Sequence, residues 1–213
     1  MGKEEMVSEE TIQKVRTMAE VASNRNILFL KTKSIFLFDS KTVVKDILKD
    51  IPQLEKVEIQ KKFFNQTLTI SLNKKRGVAL WCREERCFLL DKEGIIFEEN
   101  SSEKGLIKIE NLEFADELVL GESVIEKAKL AQIMAIKSKL AEVAKISASK
   151  AVLVSLERLN IQISEGWEIY FNLKGDLDWQ IQELNVVLEK QISSTKRRNL
   201  QYIDLRFSRV YYK

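Results

Sequence analysis

The chain has 213 residues, a formal net charge of +3, two cysteines and no histidine. That length makes one or two domains with a real core. The near-balanced charge gives no electrostatic case for nucleic acid, and the missing histidine removes the commonest general base and zinc ligand.

The chain carries no Gly-rich phosphate loop, Gly-x-Ser-x-Gly elbow or Asp-rich calcium loop. Its carboxylates alternate with lysines on outer faces. The reading is a non-enzymatic protein with no catalytic residue, no cofactor and no metal. Lys196–Arg197–Arg198 is a compact basic run and reads as a solvated loop. No apolar run approaches the roughly 18 residues that cross a bilayer, and Asn26–Leu30 and Ile35–Phe38 are only strand-sized. The amino terminus lacks the apolar core of a signal peptide.

In chain order, Ser8 caps a first helix in which Ile12, Val15, Ala19 and Ala22 share a face, ending near Ser23–Asn24. Ile27–Leu30 reads as an extended connection. Asp39 or Ser40 caps a second helix with Val43, Val44, Ile47, Leu48 and Ile51 inward, and Pro52 ends it. Leu54, Val57 and Ile59 belong to a half-buried strand. Phe63–Gln66 turns the chain, and Leu68, Ile70 and Leu72 point one way on the return. Phe63–Phe64 at this tip reads either as a contact patch or as a lid on the small core.

A second module starts after a seam near Arg76–Gly77. It opens with a hairpin over Val78–Cys82 and Cys87–Leu90, a turn at Asp91–Gly94 with Gly94 at the positive-φ position, and a strand over Ile95–Glu98. Asn100–Lys104 is polar. Ile107–Ile109 and Leu118–Leu120 read as edge segments. Glu122 to about Lys145 is the longest helix, with Val124, Ala128, Ala131 and Ala135 as its apolar stripe. Strands over Ala151–Leu156, Asn160–Ser164 and Glu168–Leu173 follow. A helix over Asp176–Gln191 then turns Ile181, Leu184, Leu188 and Ile192 inward, and Tyr202–Phe207 and Arg209–Tyr212 close the chain.

Cys82 and Cys87 face each other across the hairpin. Paired positions of such a ladder lie about 4.5–5.5 Å apart, which suits a disulfide, and the same spacing suits two reduced strand residues. Trp81, Trp167 and Trp179 are scattered and read as core or rim packing. The ending YIDLRFSRVYYK alternates aromatic and basic residues in a terminal strand. Such a strand is either an edge open to a partner strand or one already paired within the fold.

Residues IPQLEKVEIQKKFFNQTLTISLNKKRGVALW, followed by CFLLDKEGIIFEE, resemble the bacterial cell-division family FtsQ/DivIB. Pro52, Leu54, Val57, Ile59, Phe64, Thr67, Leu68 and Ile70 match the end of its POTRA module. Val78, Ala79, Trp81, Leu90, Asp91, Gly94, Ile96 and Phe97 match the opening of its β-domain, and the chain's ending resembles the family's last conserved stretch. Asn65 stands where the family usually has Pro. The resemblance implies an α+β fold: a POTRA-like βααββ module over 1–76, then a curved, mostly antiparallel β-domain with flanking helices over 77–213. Gly2–Ser8 resembles the turn after the module's first strand, so that strand, and the transmembrane helix ahead of it, are expected to lie outside this chain.

By resemblance the function is a divisome scaffold anchored in the cytoplasmic membrane by one span, with this region extracytoplasmic. It would bind FtsB- and FtsL-like division proteins and help control septal peptidoglycan synthesis. Tyr202, Leu205 and Phe207 would bind the partner, with Arg206, Val210 and Tyr211 beside them. An extracytoplasmic site also favours the Cys82–Cys87 bond. The alternative is another POTRA-bearing assembly or secretion factor.

Overall fold

The computed structural model describes residues 7–23, 25–27, 30–32, 38–100, 105–113 and 117–213. It is an α+β protein of two compact units, Met1–Arg76 and Gly77–Lys213. Most of Gly2–Ser8, Ile35–Phe38 and Asn100–Lys104 lies outside the described residues.

In the first unit, helix α1 (Glu9–Ser23) starts where the Ser8 hydroxyl accepts the Thr11 N–H. Its buried residues are Thr11, Val15 and Ala19, while Ile12 faces outward. The inward face is therefore rotated from the one that Ile12 suggested. The connection read at Ile27–Leu30 is a short antiparallel hairpin, β1 (Arg25–Ile27) with β2 (Leu30–Thr32). Asp39 caps α2 (Ser40–Asp50) by accepting the Lys41 and Thr42 N–H groups, and Val43 and Ile47 are its buried pair.

Strands β3 (Leu54–Lys62) and β4 (Thr67–Lys74) form a two-stranded ladder. A bulge between Leu54 and Lys56 explains why Leu54 and Val57, three apart, are both buried. Phe64 is fully exposed and Phe63 about half so. The hairpin tip therefore does not close over the core.

The second unit is built on a nine-stranded sheet. Its strands in chain order are β5 (Ala79–Arg83), β6 (Arg86–Leu90), β7 (Ile96–Glu99), β8 (Ile107–Asn111), β9 (Ala148–Leu153), β10 (Arg158–Ile163), β11 (Glu168–Asn172), β12 (Tyr202–Asp204) and β13 (Tyr211–Tyr212). Across the sheet they run β13-β12-β11-β10-β9-β8-β5-β6-β7. Five of the eight pairings are antiparallel and three, β8 with β5 and β9 and β11 with β12, are parallel. Ile107–Ile109 thus sits mid-sheet rather than at an edge, and Leu118–Leu120 is loop.

Helices α3 (Lys127–Glu142) and α4 (Leu177–Lys190) pack on one face. The buried stripe of α3 is Leu130, Ile133, Ile136 and Leu140, with Ala128 and Ala131 exposed. Val124 is buried too, but it precedes the helix, so counting from it misphased the stripe. Each large aliphatic side chain gains about 1.5–3 kcal/mol from burial, far more than Ala, and this decides which face turns inward. Trp81 and Trp167 are in the core and Trp179 is half-buried. The basic run at 196–198 is not a plain loop. Arg197 ends a one-turn helix, α5 (Ser194–Arg197), and holds Glu165 through two bonds of 2.6 Å.

Cys82 and Cys87 are disulfide-bonded, with Cα atoms 4.1 Å apart at directly paired positions of β5 and β6. With Leu80, Leu89 and Phe97 they form a small apolar cluster separate from the main core.

Candidate functional site: the carboxy-terminal sheet edge

Strand β12 is short and inserted between unequal neighbours. It runs parallel to β11, with Ile203 opposite Ile169, and antiparallel to β13, with Ile203 opposite Tyr212. Alternation sends Ile203 and Leu205 to the helix-covered face and Tyr202, Asp204 and Arg206 to the other. Leu205 is 1% exposed and packed in the main core. Its expected partner contact is corrected to core packing, because it shares the parity of Ile203. Val210 is half-buried against the same core, so it too supports the edge from beneath.

On the other face the side chains form a continuous row. The rings of Tyr170 and Tyr202 stack with centroids 5.1 Å apart. Arg158 lies 4.6 Å over the Tyr170 ring, and Arg206 lies 5.6 Å from it and 5.2 Å from Phe207. Phe207 meets Tyr211 edge-on at 5.9 Å. Cation–π and edge contacts of this kind hold aromatic rings in place while leaving their outer surfaces open. Phe207 is 53% exposed and Tyr211 54%.

Asp204 anchors Arg206. It is 6% exposed and accepts the Arg206 Nε at 2.8 Å, the Nη2 at 2.6 Å and the backbone N–H at 3.1 Å. Burial pushes the Asp204 carboxyl up, but the side-chain and backbone bonds from Arg206, with its charge, together hold it below the usual carboxylate value. Burial, followed by the charge of Glu168, pushes the Tyr170 hydroxyl up.

The backbone of β13 completes the site. Tyr202 and Lys213 exchange both hydrogen bonds, at 3.3 and 3.2 Å. Bonded and non-bonded pairs alternate in an antiparallel ladder. At the next pair, Ile203–Tyr212, the Tyr212 peptide groups therefore face away from β12, toward the open side of the sheet. The arrangement has no nucleophile poised by a base. Among the described residues, no three His, Cys, Asp or Glu side chains converge as metal ligands would.

Residues 79–206, from the first strand of this unit to the arginine on Asp204, match the family of cell-division protein FtsQ/DivIB, C-terminal domain. The chain belongs to the FtsQ/DivIB family. That family is one of non-enzymatic division scaffolds, and the match gives the chain a role in cell division. No curated protein matches the sequence closely. The FtsQ/DivIB match takes in Tyr202, Leu205 and Arg206 and stops before Phe207, Val210 and Tyr211. The FtsQ/DivIB unit therefore brings Tyr202, Arg206, Phe207 and Tyr211 together and sets Leu205 and Val210 beneath them. Sequence reasoning missed Arg158, Tyr170 and Asp204. The signal for Tyr170 was its position between the inward-facing Ile169 and Phe171 on β11. Among the described residues no helix is long and apolar enough to cross a membrane.

Proposed function

We propose that this chain is the extracytoplasmic part of a division scaffold that captures a small bitopic protein of the FtsB/FtsL type by strand addition at β13. The observation carrying this reading is the outward-facing Tyr212 peptide beside the row Tyr202, Arg206, Phe207 and Tyr211. A partner strand would gain main-chain hydrogen bonds there, and the rings and guanidinium supply the large rigid anchors that dominate binding energy. The scaffold then helps control septal peptidoglycan synthesis through its partners, without chemistry of its own.

Unit 1–76 is read as a POTRA-like module, supported by two helices followed by one long hairpin under an apolar face. Attachment to the cytoplasmic membrane would come from a span outside this sequence. The Cys82–Cys87 bond suits an oxidising, extracytoplasmic setting.

Calorimetric titration with the soluble segment of an FtsB-type partner tests the site. Phe207→Asp is expected to weaken binding more than tenfold, about 1.4 kcal/mol or more, and Tyr202→Ala less, with circular dichroism unchanged. Undiminished affinity in both variants would remove this edge as the binding site.

A further inference from the structure

The loop at the end of the first unit's long hairpin presents two aromatic rings to solvent. Strands β3 and β4 stay paired out to Lys62 and Thr67, and Phe63–Gln66 turns beyond them. The Gln66 N–H donates to the Phe63 carbonyl at 3.3 Å and Gln66 takes a φ of +49°, so the turn has a defined shape. Phe64 is the most exposed large hydrophobic side chain among the described residues, at 104%, and Phe63 is 52% exposed. A strand added beside β4 would pair with residues of β4 itself and leave this loop, which lies past them, as open as before.

The charge around the rings has one sign. From Ile59 to Asn73 the hairpin carries Lys61 and Lys62 and no carboxylate. Lys61 donates to the Phe38 carbonyl, while Lys62 is exposed directly before the rings. Glu58, on the same strand face as Lys62, is paired with Lys56. Asn65, Gln66 and Thr67 are neutral and exposed. Two rings on a convex tip need a matching pocket to bind a rigid protein, whereas a lipid interface accepts them without one. The neutral polar groups suit the headgroup layer, and the lysines favour anionic lipid. From this tip we infer that the first unit touches the surface of an anionic membrane, with Phe63 and Phe64 entering the boundary between headgroups and acyl chains. Because the turn is already formed, insertion orders little more than the two rings. The contact orients the unit on the membrane rather than anchoring it. The inference goes beyond strand capture and does not use β13.

Co-sedimentation of the whole chain with vesicles tests it, using phosphatidylcholine alone or mixed with phosphatidylglycerol at up to about 5 mM lipid. The chain is expected to pellet with the mixed vesicles and not with the neutral ones. Phe64→Ser removes a ring that lies wholly outside the fold and should lower the partition coefficient about tenfold. Lys62→Glu should lower it about fivefold. Both variants should keep the parent circular dichroism spectrum. In Phe64→Trp, brominated lipid should quench the added indole, read as the difference from the unchanged chain with its three tryptophans. No pelleting with mixed vesicles, equal pelleting with neutral ones, or undiminished binding by either substituted chain overturns the inference. So does an unquenched indole, since charge alone would then hold the chain at the surface. A tip that docks on a protein instead gives the first of these results. Strand capture is read separately by calorimetry, so either reading can fail alone.

Discussion

The side chain of Gln180 acts as an extra strand residue for Asn172. Its carbonyl oxygen accepts the Asn172 N–H at 2.9 Å, and its amide donates to the Asn172 carbonyl at 3.0 Å. Gln180 lies on α4 and is 2% exposed, so this pair ties the end of β11 to the helix that covers it. The helix start is set by the same turn, since Asp176 accepts the Trp179 N–H at 3.0 Å. Position 180 looks wrong by polarity, as a glutamine on the buried stripe with Ile181, Leu184 and Val187. It is right by hydrogen bonding.

Replacing Gln180 with Leu keeps the volume and removes both bonds, leaving the Asn172 N–H without its partner while the Asn172 carbonyl keeps the Gly175 N–H at 3.1 Å. The expected cost is about 1–3 kcal/mol, from one stranded backbone N–H. Urea denaturation followed by tryptophan fluorescence measures it. A loss under about 0.5 kcal/mol would mean that water or a neighbour replaces the amide.

The Asp204–Arg206 pair makes a pH prediction. The folded Asp204 carboxyl lies below its unfolded value, so its contribution is present above about pH 4 and is lost as pH falls through the folded value. In Arg206→Met the guanidinium bonds and charge are lost, and only the backbone N–H of residue 206 and the charge of Arg158 still oppose burial, so the carboxyl moves up and the charged form destabilises the fold at neutral pH. The variant should be less stable than the parent by about 2–3 kcal/mol at pH 7, somewhat under the cost of breaking a fully buried pair. That gap should narrow as the pH drops toward the acid range. Denaturation midpoints measured across pH would show it, and a gap that stays constant with pH would remove Arg206 as the cause.

Gly94 sits at φ +84°, and a Cβ there would fall 2.1 Å from the Ile125 carbonyl oxygen. Gly166 has a similar φ of +95° with nothing within 4 Å of the same atom. Gly166→Ala should therefore cost only the conformational term, about 1 kcal/mol, while Gly94→Ala costs that plus displacement of the Ile125 backbone. Thermal melting of the two variants separates the terms. Equal losses would show that the segment at Ile125 yields freely.

Features written in neighbouring residues were legible before any coordinates. Asp39 and Pro52 bracket α2, Asp176 starts α4, and Gly94 closes its turn, because caps and turns depend on side chains only a few positions away. The stripe of α3 was not legible in phase. Val124 and the alanines imitate a periodic face, and only the packing partners show that Leu130, Ile133, Ile136 and Leu140 take it. Leu205 misled in a similar way. Its place in an aromatic, basic run suggested surface, while the parity of Ile203 sends it inward.

By itself, then, the sequence determined the α+β class, the two-part layout, the local signals at element ends and the family resemblance, all of which rest on residues close along the chain. The tertiary structure alone decided that β8 lies mid-sheet and β13 at the edge. It also decided that Tyr170 stacks on Tyr202. A period of two is the same for a central strand and an edge strand, so the pattern says which side chains turn inward but not which strand comes next. That order is set by crossovers such as α3 between β8 and β9, which bring together residues far apart along the chain.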